Sequence, residues 1–126
     1  MYQGMREDHV ITIQLLVNEI IDRGYSIAVY DEEDCVLETT KDIDRVLDAV
    51  GDTGLTTIEV RAPEFGEEHG MNRRQQHIGT FTISHEASLD PGELIIDYSW
   101  NAEEYGDYAL EAMAQIEGVV LANSPI

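Results

Sequence analysis

Four carboxylates in succession, Asp31, Glu32, Glu33 and Asp34, sit between two apolar stretches of this 126-residue chain. Carboxylates this dense can hold a hard cation or attract a basic surface. A calcium loop, however, carries its acids at alternate positions, with a central glycine and a distal Glu. This run is unbroken and lacks glycine, and alternate side chains of a ribbon point to opposite sides. A solvated hairpin turn accounts for it better than a cation site. Contribution to a basic partner's binding face is the remaining role.

His69, His77, His85 and Cys35 are the other residue types that bind metals, but no pair has zinc-motif spacing. His77 and His85 flank one strand-like run and would stand ~26 Å apart, too far to share an ion. Cys35 follows the acidic run, and neighbouring carboxylates disfavour a thiolate. It reads as a buried, inert thiol. Asp97 and Glu103 are the conceivable acid–base pair, but nothing in the sequence places them in a cleft. "GDTG" at 51–54 lacks the downstream Lys-Ser/Thr of a phosphate loop. The sequence therefore points to no catalytic residue, no metal site and no cofactor.

"DYSWNAEEYGDY" at 97–108 is the most suggestive stretch. Tyrosine, tryptophan and acids together have the composition of a binding hot spot. Glu103, Asp107 and Glu111 recur at i, i+4 and i+8, which spaces carboxylates about 6 Å apart along a helix, close to phosphate spacing on a nucleic-acid strand. Glu104 adds a fourth acid to this segment. The plainer reading makes Tyr98 and Trp100 core and the acids a solvated outer face.

The elements that must position these residues follow from periodicity. Val10, Ile13, Leu16, Val17, Ile20 and Ile21 have helical spacing, and Arg23-Gly24 is a stop signal, giving a first helix from about 7 to 23. "YSIAVY" and "CVLET" flank the acidic run as a hairpin. Thr39 or Thr40 is expected to cap a second helix with core positions Ile43, Val46, Leu47 and Val50, ended by Gly51. "TTIEVRA", "HIGTFTIS" and "LIIDYSW" read as strands, separated by a loop over 63–76 and a turn at Pro91-Gly92. In the last strand Leu94, Ile96, Tyr98 and Trp100 are expected on one face and Ile95, Asp97 and Ser99 on the other. Asn101 and Glu104 read as a capping box for a third helix with a stripe of Tyr105, Tyr108, Ala109, Ala112, Met113 and Ile116, ended by Gly118. The fold class is α+β: an antiparallel sheet of about five strands with helices packed on it, in the order α-β-β-α-β-β-β-α, as a single domain over 1–126.

The net charge of −19 comes from 26 acidic and 7 basic residues, and residues 77–126 hold nine acids with no Lys or Arg. Such a chain repels nucleic acid and anionic membranes, so no direct nucleic-acid or membrane partner is expected, and basic proteins are its natural partners. A folded chain of 14.1 kDa exposes roughly 6,700 Å². Even spreading gives about one charge per 350 Å², against about one per 110 Å² for B-DNA treated as a rod. Nucleic-acid mimicry thus requires the charge to be gathered on one face. Solubility and halophilic adaptation, the latter favoured by Lys41 being the single lysine, are the rival explanations. The sequence shows neither a secretory leader nor an apolar run of membrane-spanning length, and has one cysteine, so a cytoplasmic location is expected.

"GYSIAVYDEED", "LETTKD", "HIGTF" and "LIIDYSWNAEE" resemble blocks of small acidic proteins of unknown function encoded by phages and prophages. The resemblance covers roughly residues 24–117, including the spacing between blocks; the 63–76 loop is longer than that pattern has. It implies a phage or prophage origin, action in a host cytoplasm and the element order above, and it transfers no catalytic residue. The expected function is a non-catalytic accessory protein that binds another protein, with an acidic inhibitor of a basic host nucleic-acid-binding or defence factor as its sharper form. The candidate contacts are Glu103, Glu104, Asp107 and Glu111 with Asp31, Glu32, Glu33 and Asp34. The alternative is a structural or self-associating module, a homodimer joined through Tyr98, Trp100, Tyr105 and Tyr108.

Overall fold

Alternating β-branched residues and three helices build a sheet with the helices packed on one face. The computed structural model describes residues 6–31, 34–50, 54–62, 77–86, 88–101 and 105–124. Its elements are α1 (Glu7–Asp22), β1 (Ser26–Asp31), β2 (Asp34–Thr40), α2 (Ile43–Ala49), β3 (Leu55–Arg61), β4 (His77–Ser84), a 3-10 turn (Pro91–Glu93), β5 (Ile95–Trp100) and α3 (Asp107–Asn123). The five strands pair antiparallel in the order β2-β1-β3-β4-β5. The fold is α+β with the expected element order.

Cross-strand register decides which face is core. Ile27 pairs with Val60, Val29 with Ile58, Ile58 with Phe81 and Val60 with Gly79. These side chains point into one cluster with Ile13, Leu16, Val17 and Ile20 of α1, Val46 and Leu47 of α2, and Ala109, Met113, Ile116 and Val120 of α3. Each fully buried Ile, Leu or Phe there is worth roughly 1.5–3 kcal/mol of transfer free energy. The opposite face carries Tyr30, Thr57, Glu59, Thr80, Thr82, Asp97 and Ser99, which alternate with the core positions.

The helix ends follow local chemistry. Gly24, at φ 90°, lets its own N–H donate to the Ile21 carbonyl and the Tyr25 N–H to the Ile20 carbonyl, closing α1 where Arg23-Gly24 predicts. His9 is buried and its Nε2 lies 2.7 Å from the Leu89 carbonyl, tying the start of α1 to the turn before β5. The cap of α2 differs from expectation. Thr39 and Thr40 belong to β2, and the Asp42 carboxylate accepts from the N–H groups of Asp44 and Arg45. Gly51 lies outside the described residues.

α3 departs from expectation at both ends. The described helix starts later than expected, behind Gly106 at φ 53°; Asn101 Nδ2 donates to the His77 carbonyl, and Glu104, its expected capping-box partner, lies outside the described residues. Gly118 does not end it. Val120 continues the buried stripe one turn beyond Ile116, and that burial carries the helix through the glycine. A Cβ on Gly118 would meet nothing within 4 Å. Gly118→Ala should therefore stabilise the protein by about 0.5–1 kcal/mol through helix propensity and a less flexible unfolded chain. A thermal melt checks this; a lowered midpoint would contradict a helical Gly118.

Candidate functional site

The acids singled out from the sequence fall at two separate places. Asp31 and Asp34 are exposed and directly paired across β1 and β2, so only Glu32 and Glu33, which lie outside the described residues, join the strands. Along the register Asp31 meets Thr56, Thr56 meets Ile83, and Ile83 meets Ile95. The hairpin tip therefore lies at the end of the sheet where β5 begins. Asp107 and Glu111 are exposed on the first turns of α3, which starts after β5 has run to the other end. β2 and β5 are opposite edges, four strand spacings or about 19 Å apart. The two acidic groups thus occupy diagonal corners and do not merge into one array. Glu103 and Glu104 lie outside the described residues. Asp107 sits at the positive end of the α3 dipole, where a carboxylate is stabilised.

Tyr98 packs against the core beside Phe81, as in the plainer reading, but Trp100 does not follow it. Trp100 is 41 % exposed, although it lies on the helix-covered face opposite Gly79. Tyr108 is likewise exposed and shares a 2.7 Å hydrogen bond with the Tyr25 hydroxyl, so it belongs to the rim of the core rather than to the buried stripe. The alternation expected in β5 is broken by a bulge. Ile83 pairs with Ile95 while Thr82 pairs with Asp97, which leaves Ile96 as an extra residue. Ile95 thereby turns toward the core, and Ile96 is 52 % exposed.

These displacements create an apolar ledge along one edge of the fold. Among the described residues β5 pairs only with β4, so no described strand pairs with its outer backbone edge. α3 seats Met113 against Gly79 of β4, one strand in from that edge. Gln115 and Tyr108 face α1, through Arg23 and Tyr25. The opposite flank of α3 carries Leu110, Ala114, Glu117 and Leu121 at i, i+4, i+7 and i+11, a single helical stripe. Leu121 is 43 % exposed. Ile96, Trp100 and the α3 flank so present apolar surface that no described element covers.

Glu117 sits within that flank, half-buried, with no ion pair or hydrogen bond among the described residues. Burial pushes its carboxyl above the ordinary carboxylate value. A raised value means that the fold prefers the protonated form, so wild-type stability gains as pH falls through it and is reduced above it. Glu117→Gln should stabilise the protein by about 0.5 kcal/mol at neutral pH, and the gain should shrink on acidification. Urea melts across a pH series measure it; a gain that grows toward low pH would contradict the sign.

The polar face holds a second group that periodicity did not reveal. Arg61, buried, donates from Nε and Nη2 to Glu59 Oε1 at 3.0 and 2.9 Å and from Nη1 to Thr39 Oγ1. His77 Nε2 lies 2.7 Å from Thr80 Oγ1, and its Nδ1 is 3.9 Å from Glu59. Burial raises the Tyr30 hydroxyl above its ordinary pKa, and the nearby Glu59 and Cys35 charges add to this. Cys35 itself is exposed, not buried as expected, because it lies on the edge strand β2, opposite Tyr30 on the face away from the helices. Its Sγ donates to the Leu37 carbonyl, not to a base. No group of three or more His, Cys, Asp or Glu residues that could hold a metal ion occurs among the described residues. His85 Nε2 lies 2.6 Å from Thr56 Oγ1, while His69 falls outside the described residues. Asp97 is exposed on the face away from the helices. No described helix is long and apolar enough to cross a membrane.

Comparison of the chain with protein-family models, with curated proteins and with solved structures finds no match.

Proposed function

We propose that this is a non-catalytic accessory protein of a phage or prophage that acts by binding a basic protein of its host. Its sharper form is an acidic inhibitor of a host nucleic-acid-binding or defence factor. One observation carries the binding reading: from β4 to the end of the chain there is no Lys or Arg among nine acids, and these same elements expose Ile96, Trp100 and Leu121. Exposed apolar surface ringed by charge of one sign is what a partner of opposite sign covers. The phage origin rests on the resemblance of the sequence blocks. The separation of the two acidic corners favours recognition through one of them over imitation of a long duplex.

A pull-down from bacterial lysate at low and high salt tests the reading. Recovery of a basic protein that is lost at high salt is expected; recovery of none at low salt would overturn it. Replacing Glu103, Asp107 and Glu111 together by Gln should weaken that partner's binding while shifting stability by less than about 0.5 kcal/mol, since surface changes rarely exceed this. Full affinity in the triple variant would remove this stripe as the contact. Self-association is the second reading, favoured by the exposure of Trp100. Light scattering decides it, because a clean monomer at micromolar concentration excludes the dimer.

A further inference from the structure

We propose that the open edge of β5, together with the α3 flank beside it, is the docking site for an extended basic segment of a partner protein. The segment adds as a sixth strand, lays apolar side chains on Ile96 and Trp100, and brings a Lys or Arg to Glu117. This rests on the proposed function and names the place and the chemistry of the contact.

Three independent features converge there. The first is backbone: β5 is a terminal strand, and its outward N–H and C=O groups are unpaired among the described residues. A strand edge of this kind accepts another strand through main-chain hydrogen bonds. β5 carries neither lysine nor proline, two common guards of such an edge, and its bulge is confined to Ile95–Ile96, before Asp97–Trp100. The second is shape. α3 seats Met113 on Gly79 and packs on both β4 and β5, and Trp100, opposite Gly79 on the same side of the sheet, stays partly exposed next to the end strand's outer edge. Side chains alternating along an added strand would reach that side of the sheet at every second position.

The third is charge, and it selects the occupant. β5 and α3 contain Asp97, Asp107, Glu111 and Glu117 and no Lys or Arg. A second copy docked symmetrically on this ledge would bring only more acids to face Glu117. A segment with a Lys or Arg would instead supply the cation that Glu117 lacks among the described residues. Its partial burial disfavours the charged form, which an incoming cation would offset by pairing. The complementary occupant is therefore a foreign strand alternating apolar and basic residues.

The chain's single tryptophan makes the test direct, because Trp100 reports on the site itself. The probe is a peptide of about ten residues alternating valine and lysine, long enough to span one strand. The controls are the same peptide N-methylated at alternate amides and a valine–glutamate peptide. In low salt the valine–lysine peptide should bind, shift Trp100 emission to shorter wavelength and slow amide exchange within Ile95–Trp100. N-methylation should weaken binding at least about tenfold, since it removes the main-chain bonds. Glu117→Gln should weaken it about fivefold or more, whereas Asp34→Asn, at the far corner, should leave it within about twofold.

Binding that is indifferent to N-methylation and silent at Trp100 would overturn the docking site and leave the basic-partner reading intact, as a diffuse charge effect. Equal binding of the glutamate peptide, or no binding of the lysine peptide, would also overturn the site, while the lysate experiment judges the broader reading separately. A dimer that dissociates on Trp100→Ser and excludes the peptide would make a second copy the occupant and overturn the proposal.

Discussion

Gly79→Ala should destabilise the fold by about 3 kcal/mol, at the upper end of what overpacking a core usually does. A Cβ at this position would lie 2.5 Å from Met113 Sδ, 2.6 Å from its Cε and 2.6 Å from the Ser99 carbonyl oxygen. The thioether can rotate away, because methionine is flexible. The carbonyl cannot, since it belongs to the backbone of the neighbouring strand. The glycine is needed for space and not for its torsion angle; it is absent from the positive-φ glycines. For a domain of this size about 3 kcal/mol lowers the melting midpoint by roughly 10 °C. Met113→Ala in the same background separates the two contacts. The alanine at 79 should then cost less than in wild type but still more than about 1 kcal/mol, because the Ser99 contact persists. A single variant melting within about 2 °C of wild type would show that α3 does not sit this closely on β4. It would also remove the close seating of α3 on the β4–β5 pair.

That dependence on one glycine shows where a sequence reading stops. Periodicity locates α1 to within a residue, because Val10, Ile13, Leu16, Val17 and Ile20 repeat without interruption and Arg23-Gly24 closes them. The hairpin around the acidic run is equally legible. What is lost is everything decided by a neighbour in space. The β5 bulge turns Ile95 toward the core and leaves Ile96 exposed, and it exists only through pairing with β4. The exposure of Cys35 depends on β2 being an edge, which strand order determines and local pattern does not. Gly118 reads as a stop from its immediate neighbours, yet burial of Val120 against the sheet outweighs about 1 kcal/mol of poor helix propensity.

The candidate site was half visible for the same reason. The aromatic-acidic stretch 97–108 marks one wall of the ledge, and its composition alone draws the eye. Glu117 looks in sequence like any solvated helix acid. It becomes distinctive only when α3 is turned so that Tyr108 and Gln115 face α1 and the opposite flank overhangs β5. Asp31 and Asp34 carry the conspicuous charge, but the register places them at the far corner of the sheet.

Arg61→Leu should cost about 2–4 kcal/mol, the second large effect, and it concerns the polar face rather than the ledge. Arg61 lies on β3, yet its Nη1 reaches Thr39 on β2, across the whole width of β1. Two strand spacings are about 9.6 Å, a span that lysine's single ammonium could not bridge while also holding a carboxylate in a fork. Ser26 and Ala28, the β1 residues paired with Arg61 and Glu59 on this face, are small and buried, which leaves room for the guanidinium to pass. The side chain therefore straps three strands together while fixing Glu59. Removing it leaves a carboxylate only 16 % exposed without its main partner. Breaking a fully buried pair costs roughly 3–5 kcal/mol, and residual exposure of Glu59 lowers that figure. The double variant Glu59→Leu/Arg61→Leu should recover most of the loss, because the penalty lies in the orphaned charge and not in the absent bond. Chemical denaturation of both variants measures it. If the double variant is as unstable as the single one, the strap to Thr39, and not the pairing with Glu59, is what holds β2 to the sheet.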